Sequence, residues 1–313
     1  MVNISVSLQT SKAWPLSRMD FQRGERNGER DSSRQAESAV YFSNPLMSDI
    51  ESDWSPLHDA AYHGRLVSVR TLIDQGASTN LVSLERVSPL HVACLQGHTV
   101  CAKLLLDHGA NVNITTVDGS TALSESCGGG HLSCVRLLLQ HGSTPHGPTD
   151  SSSPIHQAAA KGHVDCVEAL VQQGADVDRR SEYLGTPLYT ACANQHLSMV
   201  KRLLQLGADV NSGKGGDTPL HLGAQRDWPE LVTTLLEHGA NAHARDTAGN
   251  QPLDLAPPNS AAKTLLNQRG GVSRLAQLSR LTVRRVLGPA RLCKISSLSL
   301  PSELKEYLLY QSD

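Results

Sequence analysis

Aromatic residues are scarce, at 4% of the 313 positions. Any core must therefore be built from Leu, Val and Ala rather than from large rings. No run of about 18 apolar residues occurs, so no membrane-spanning helix is expected. The first twenty residues, MVNISVSLQTSKAWPLSRMD, hold no continuous apolar segment, so no secretory signal is expected either. The net charge is only −2, which gives no general attraction for nucleic acid or an anionic membrane. Seven cysteines make an odd number, which fits free thiols in a reducing compartment and a cytoplasmic location.

The chain does contain a repeat. Six segments share one phase: SPLHDAAYHGR from Ser55, SPLHVACLQGH from Ser88, TALSESCGGGH from Thr121, SPIHQAAAKGH from Ser153, TPLYTACANQH from Thr186 and TPLHLGAQRDW from Thr218. Their second residues, Pro56, Pro89, Ala122, Pro154, Pro187 and Pro219, are spaced by 32 or 33. Pro252 continues the series. Glycine follows twenty residues after each of the six, at Gly76, Gly109, Gly142, Gly174, Gly207 and Gly239. Ser or Thr before Pro predicts an N-cap with Pro at the first helical position. The trailing glycine predicts a left-handed C-cap to a second helix. Small residues such as Ala60–Ala61 and Ala158–Ala159 let two helices approach. One such unit cannot bury its own apolar faces, but a stack can.

The period and the T-P-L-H-x-A pattern resemble the ankyrin repeat over residues 53–268. The resemblance implies an all-α solenoid of about six full repeats and a shortened seventh, with hairpin-like loops along one edge. The third repeat departs from the pattern at Ala122 and Ser124 and carries Gly128-Gly129-Gly130, so its first helix is expected to be the weakest. In the seventh, Pro257-Pro258 interrupts the first helix, and Asn259 or Ser260 is expected to cap the last one.

The repeat phase also sorts the reactive residues. HVACLQGH (91–98) looks like a metal site, but Cys94, Cys127 and Cys192 occupy the position of Ala61, Ala159 and Ala224. Cys101, Cys134 and Cys166 occupy the position of Ser68, Met199 and Leu231. Core packing is the expected role. His58, His91, His156 and His221 recur in one position, where ankyrin repeats use the ring to hydrogen-bond across repeats. GKGGD (213–217) lacks the order of a phosphate loop. No enzyme activity, cofactor or metal is expected.

Binding is expected at the loop edge. The tips LVSLERV (81–87), PHGPTDS (145–151), DRRSEYLG (178–185), SGKGGD (212–217) and ARDTAG (244–249) vary over a constant core. The candidate target-binding residues are Glu85, Arg86, Asp118, Arg179, Arg180, Tyr183, Lys214 and Arg245. Residues 1–43 are polar and charged, so a disordered arm is expected there. Leu46, Met47, Ile50 and Trp54 then lead into the first repeat, either as its cap or as an arm that helps hold a partner. Repeats are assigned to 44–268 and a separate C-terminal module to 272–311.

That module opens with SRLAQLSRLTVRRVLG (273–288), in which Leu275, Leu278, Thr282 and Val286 form one helical face. Pro301 and Ser302 start a last helix. The module resembles the SOCS box, so three small helices are implied. Leu275 and Val283 match the elongin-binding pattern, and Leu300-Pro301 matches the cullin-binding segment. Arg274 and Ser279 depart from it, the latter standing where Cys is usual. The resemblance implies elongin contacts at Leu275, Leu278, Ser279, Thr282, Val283 and Val286, and cullin contacts at Leu300, Pro301 and Leu304.

Together the two modules resemble the ankyrin repeat and SOCS box family, most of all the branch with its ninth and eleventh members. This implies a substrate-recognition subunit of a ubiquitin ligase. Its partners would be elongin C with elongin B, a cullin of the fifth type with its RING protein, and a folded target such as a creatine kinase. The alternative is an ankyrin scaffold or inhibitor whose tail only caps the stack. A third reading groups Arg274, Arg280, Arg284, Arg285, Arg291 and Lys294 as a polyanion-binding patch. The missing interleaved aromatics disfavour it, and neither nucleic acid nor membrane is an expected partner.

Overall fold

The computed structural model describes residues 54–149, 152–269, 282–284, 286–287, 295–297 and 299–309. The chain divides into two units, Met1–Glu51 and Ser52–Asp313, and every described residue lies in the second. Six helix pairs follow one another: α1 (Pro56–Tyr62) with α2 (Leu66–Asp74), α3 (Pro89–Leu95) with α4 (Thr99–Asp107), α5 (Ala122–Gly129) with α6 (Leu132–Gln140), α7 (Pro154–Lys161) with α8 (Val164–Gln172), α9 (Pro187–Ala193) with α10 (Leu197–Gln205), and α11 (Pro219–Gln225) with α12 (Pro229–Glu237). A seventh pair, α13 (Pro252–Leu255) and α14 (Ala261–Arg269), is shortened as expected. First helices pack on first helices of the neighbouring repeats, and second helices on second helices. One continuous core runs from Leu57 to Leu266.

The caps follow the residue types. Ser88 accepts from the His91 backbone N–H, and Pro89 takes the first helical turn. All six trailing glycines hold positive φ, from 81° at Gly109 to 100° at Gly207. Ser260 caps α14 by accepting from Lys263 N at 3.1 Å. The third repeat forms a full first helix despite its glycines. There Ser124 Oγ replaces a histidine ring and accepts from Thr121 N at 2.8 Å. Gly130 then closes the helix at φ 74°.

The inter-repeat loops are turns rather than strands. Single antiparallel bridges close three of them, at Thr115–Thr121, Ser181–Gly185 and Lys214–Asp217. In the C-terminal module, residues 282–284 and 286–287 are helical, Ile295–Ser297 is a 3₁₀ turn, and α15 spans Ser302–Leu309. Ile295 and Leu308 are buried together, with Leu287 against them.

Candidate partner-binding surfaces

Two hydrogen-bond ladders join neighbouring repeats of the stack. In the first, His58 Nε2 reaches Val87 O at 3.0 Å, His156 Nε2 reaches Gly185 O at 3.0 Å, and His221 Nε2 reaches Asn250 O at 3.2 Å. The other ring nitrogen of His91 accepts from Ser88 N at 3.2 Å, and that of His221 from Thr218 N at 3.1 Å. An acceptor at Nδ1 and a donor at Nε2 require the neutral imidazole. Burial pushes the His91 ring down to about 4, so it stays neutral at physiological pH.

The second ladder lies at the C-terminal ends of the first helices. His98, His131, His163 and His196 reach the carbonyls of Tyr62, Leu95, Gly128 and Ala160 at 2.9–3.2 Å. Trp228 stands at this position in the sixth repeat, where Arg226 instead donates to Ala193 O at 2.6 Å. A Cβ on Gly97 would lie 2.4 Å from the His131 ring, so the ladder needs glycine beneath it. Asp227 holds φ 46° in the equivalent turn, and its carboxylate accepts from Ala262 N at 2.9 Å at the start of α14.

On this frame the loop tips are displayed side by side. Val117 N donates to Glu85 O at 3.0 Å, which sets Glu85 and Arg86 beside Asp118. Glu85, Arg86, Asp118, Arg180, Tyr183, Lys214 and Arg245 are exposed, and Arg179 is half-buried. Arg180 spends part of its donor capacity on Ser212 Oγ at 2.9 Å, and Arg245 on its own turn at Gly249 O at 2.6 Å. Leu84 and Val117, exposed at 86% and 71%, add apolar surface to the same tips. Neither is among the candidate target-binding residues, although Leu84 lies within the tip LVSLERV. Their signal was an apolar side chain in a polar loop. At the other end of the first repeat, Trp54 packs on Tyr62 with ring centroids 5.4 Å apart, as a cap would. Leu46, Met47 and Ile50 lie outside the described residues.

The six described cysteines are all buried and unbridged. Burial raises the thiols of Cys127 and Cys192, and that of Cys166 to about 11. They pack the core in the phase that the repeat assigns them. Among the described residues no group of three or more His, Cys, Asp or Glu is arranged to hold a metal, and no helix is long and apolar enough to cross a membrane.

In the C-terminal module, Leu275, Leu278 and Ser279 lie outside the described residues, as do Arg274, Arg280, Arg285, Arg291 and Lys294. Thr282, Val283 and Val286 are exposed, Val283 at 44% and Val286 at 76%. Pro301 and Leu304 are exposed and Leu300 is half-buried. Arg284 is buried, at 8% exposure, and is therefore no part of a polyanion-binding surface. A buried arginine among exposed valines is the feature that sequence reading missed.

Family models match both modules. A model described as "Ankyrin repeats (3 copies)" matches residues 57–149, 111–181 and 144–214, and "Ankyrin repeat" matches 215–247. "SOCS box" matches 271–309. The chain belongs to the ankyrin repeat and SOCS box family. It is 51% identical to Ankyrin repeat and SOCS box protein 9 of Mus musculus, over 92% of this chain and 99% of that protein. It is 46% identical to Ankyrin repeat and SOCS box protein 11 of Homo sapiens, over 85% of this chain and 82% of that protein. The crystal structure of the human ASB11 ankyrin repeat domain matches with a TM-score of 0.67 and 44% identity, covering 71% of this chain and all of that one. A SOCS box in this family supports a general role as substrate receptor in elongin–cullin ubiquitin ligases.

Proposed function

We propose that this chain is the substrate-recognition subunit of an elongin BC–cullin–RING ubiquitin ligase and acts in the cytoplasm. The observation that carries the reading is the exposure of Val283 and Val286 on helical residues whose Arg284 is buried. That segment turns one side to its own chain and leaves an apolar side for a partner. Elongin C, accompanied by elongin B, takes that side, with Leu275, Leu278, Ser279 and Thr282 completing the contact. A cullin of the fifth type takes Leu300, Pro301 and Leu304. The tip residues from Glu85 to Arg245 hold a folded target, a creatine kinase being the first to try. The chain performs no chemistry. It raises the effective concentration of target lysines beside the charged E2.

Co-expression with elongins B and C, followed by size-exclusion chromatography, tests this. The parent chain forms a stoichiometric complex. Leu275→Ala weakens it by about 2–4 kcal/mol, as expected for a buried interface anchor. A monomeric parent that ignores elongins would instead leave an ankyrin scaffold with a capping tail.

A further inference from the structure

Arg284 joins three parts of the chain that are remote in sequence. Its guanidinium donates to the carbonyl oxygens of Leu204 and Leu308, and to that of Gln205 at 3.3 Å. Leu204 and Gln205 end α10, the second helix of the fifth repeat, 80 and 79 residues before Arg284. Leu308 lies on α15, 24 residues after it.

The chemistry favours arginine here. The last carbonyls of a helix lack intrahelical partners and carry partial negative charge. A planar guanidinium stays ionised and presents several N–H groups in fixed directions, so one side chain can serve acceptors on two elements. An ammonium would meet them as a point charge. The end of α10 is itself braced. Arg202 Nε donates to Glu168 on α8 at 2.6 Å, and its Nη1 donates to Gln205 Oε1 at 3.1 Å. On the other side, Leu308 is fixed in the small core with Ile295.

We propose that Arg284 is a positioning residue that locks the angle between the repeat stack and the C-terminal module. The lock holds whatever occupies the loop edge at a fixed orientation to whatever occupies the exposed side of the module. Its consequence for ubiquitin transfer, namely which target lysines come within reach of the E2, rests on the function proposed above. The lock itself does not.

The test is pulsed electron–electron resonance on the full chain, alone and mixed with elongins B and C. Spin labels attached by non-cysteine chemistry replace Arg136 on α6 and Glu303 on α15, both exposed. The parent gives one narrow distance distribution in both samples. Arg284→Gln broadens it about twofold or more, and Arg284→Lys falls between them. Elongin affinity changes by less than about threefold. Three results overturn the proposal: a broad distribution in the parent, an unchanged width in Arg284→Gln, or loss of the elongin complex in a variant whose stack stays folded. The last would make Arg284 a folding residue of the module. If neither variant folds, the width in the parent decides. A parent that never binds elongins sinks the ligase reading alone, because the distribution is read without them.

Discussion

His131 Nε2 sits 3.0 Å from the carbonyl oxygen of Leu95, thirty-six residues earlier, and its ring covers Gly97. That contact repeats at three other boundaries and ties each of the second to fifth repeats to the one before it.

Gly97→Ala therefore meets two penalties. The residue sits at φ 77°, and the new methyl group meets the ring at 2.4 Å. Left-handed strain and overpacking together cost about 2–3 kcal/mol. Urea unfolding should show a midpoint lowered accordingly. An unchanged midpoint would mean that the ring swings aside freely and the ladder adds little.

The buried ring of His91 makes the stack sensitive to acid. Its folded value is about 4, below the 6.5 of the free side chain. As pH falls below the unfolded value, the unfolded chain takes up a proton that the folded chain refuses. Stability is then lost down to the folded value, by about 2 kcal/mol between roughly pH 7.5 and 5. His91→Ser copies the third repeat, where Ser124 retains the cap. That variant should be less stable at neutral pH yet lose less on acidification. Parallel unfolding curves at the two pH values, equal in slope with and without the ring, would count against His91 as the source.

Asp178 stands where three other repeats have Asn80, Asn113 and Asn211. Asn80 and Asn113 donate to the carbonyls of Gly109 and Gly142 at 2.9 and 3.3 Å. Asp178 accepts from Asp209 N at 2.8 Å, but an ionised carboxylate has no proton to donate. Burial, helped by Asp209 and Asp176, lifts it to about 6. The sign is opposite to that of His91: the folded state binds this proton first, so acid relieves the site. Asp178→Asn should stabilise the chain by about 1 kcal/mol near pH 7.5, with a smaller gain near pH 5. A destabilised variant at neutral pH would show that the carboxylate is needed.

Arg86 turns the first loop tip at φ 60°. Its N–H bonds Ser83 O at 2.8 Å, as Gly119 bonds Thr116 O and Gly249 bonds Asp246 O, both at 3.0 Å. A non-glycine residue costs free energy there. Arg86→Gly should raise stability by roughly 0.5–1 kcal/mol and, under the function proposed above, lower the capture of the target protein. If stability falls, the exposed side chain contributes to the fold rather than to a target.

Periodicity made most of the stack legible. Each repeat meets only its neighbours, so capping residues, glycine turns and core cysteines recur at fixed phase, and six examples correct one another. The departures were harder to weigh. Gly128 and Gly129 lower the intrinsic helix propensity of α5, and the helix forms packed between α3 and α7.

The sequence by itself determined the repeat architecture, the capping positions of its helices, the recurring histidines and the presence of a second, box-like module. Local chemistry at a regular spacing suffices for each. Only the tertiary structure decided which residues of that module face inward. Arg284 lies in a basic stretch and resembles its neighbours there. Its acceptors are backbone carbonyls, which have no side-chain signature, and two of them lie on a helix about eighty residues away. A contact of that kind exists only after the chain has folded back on itself.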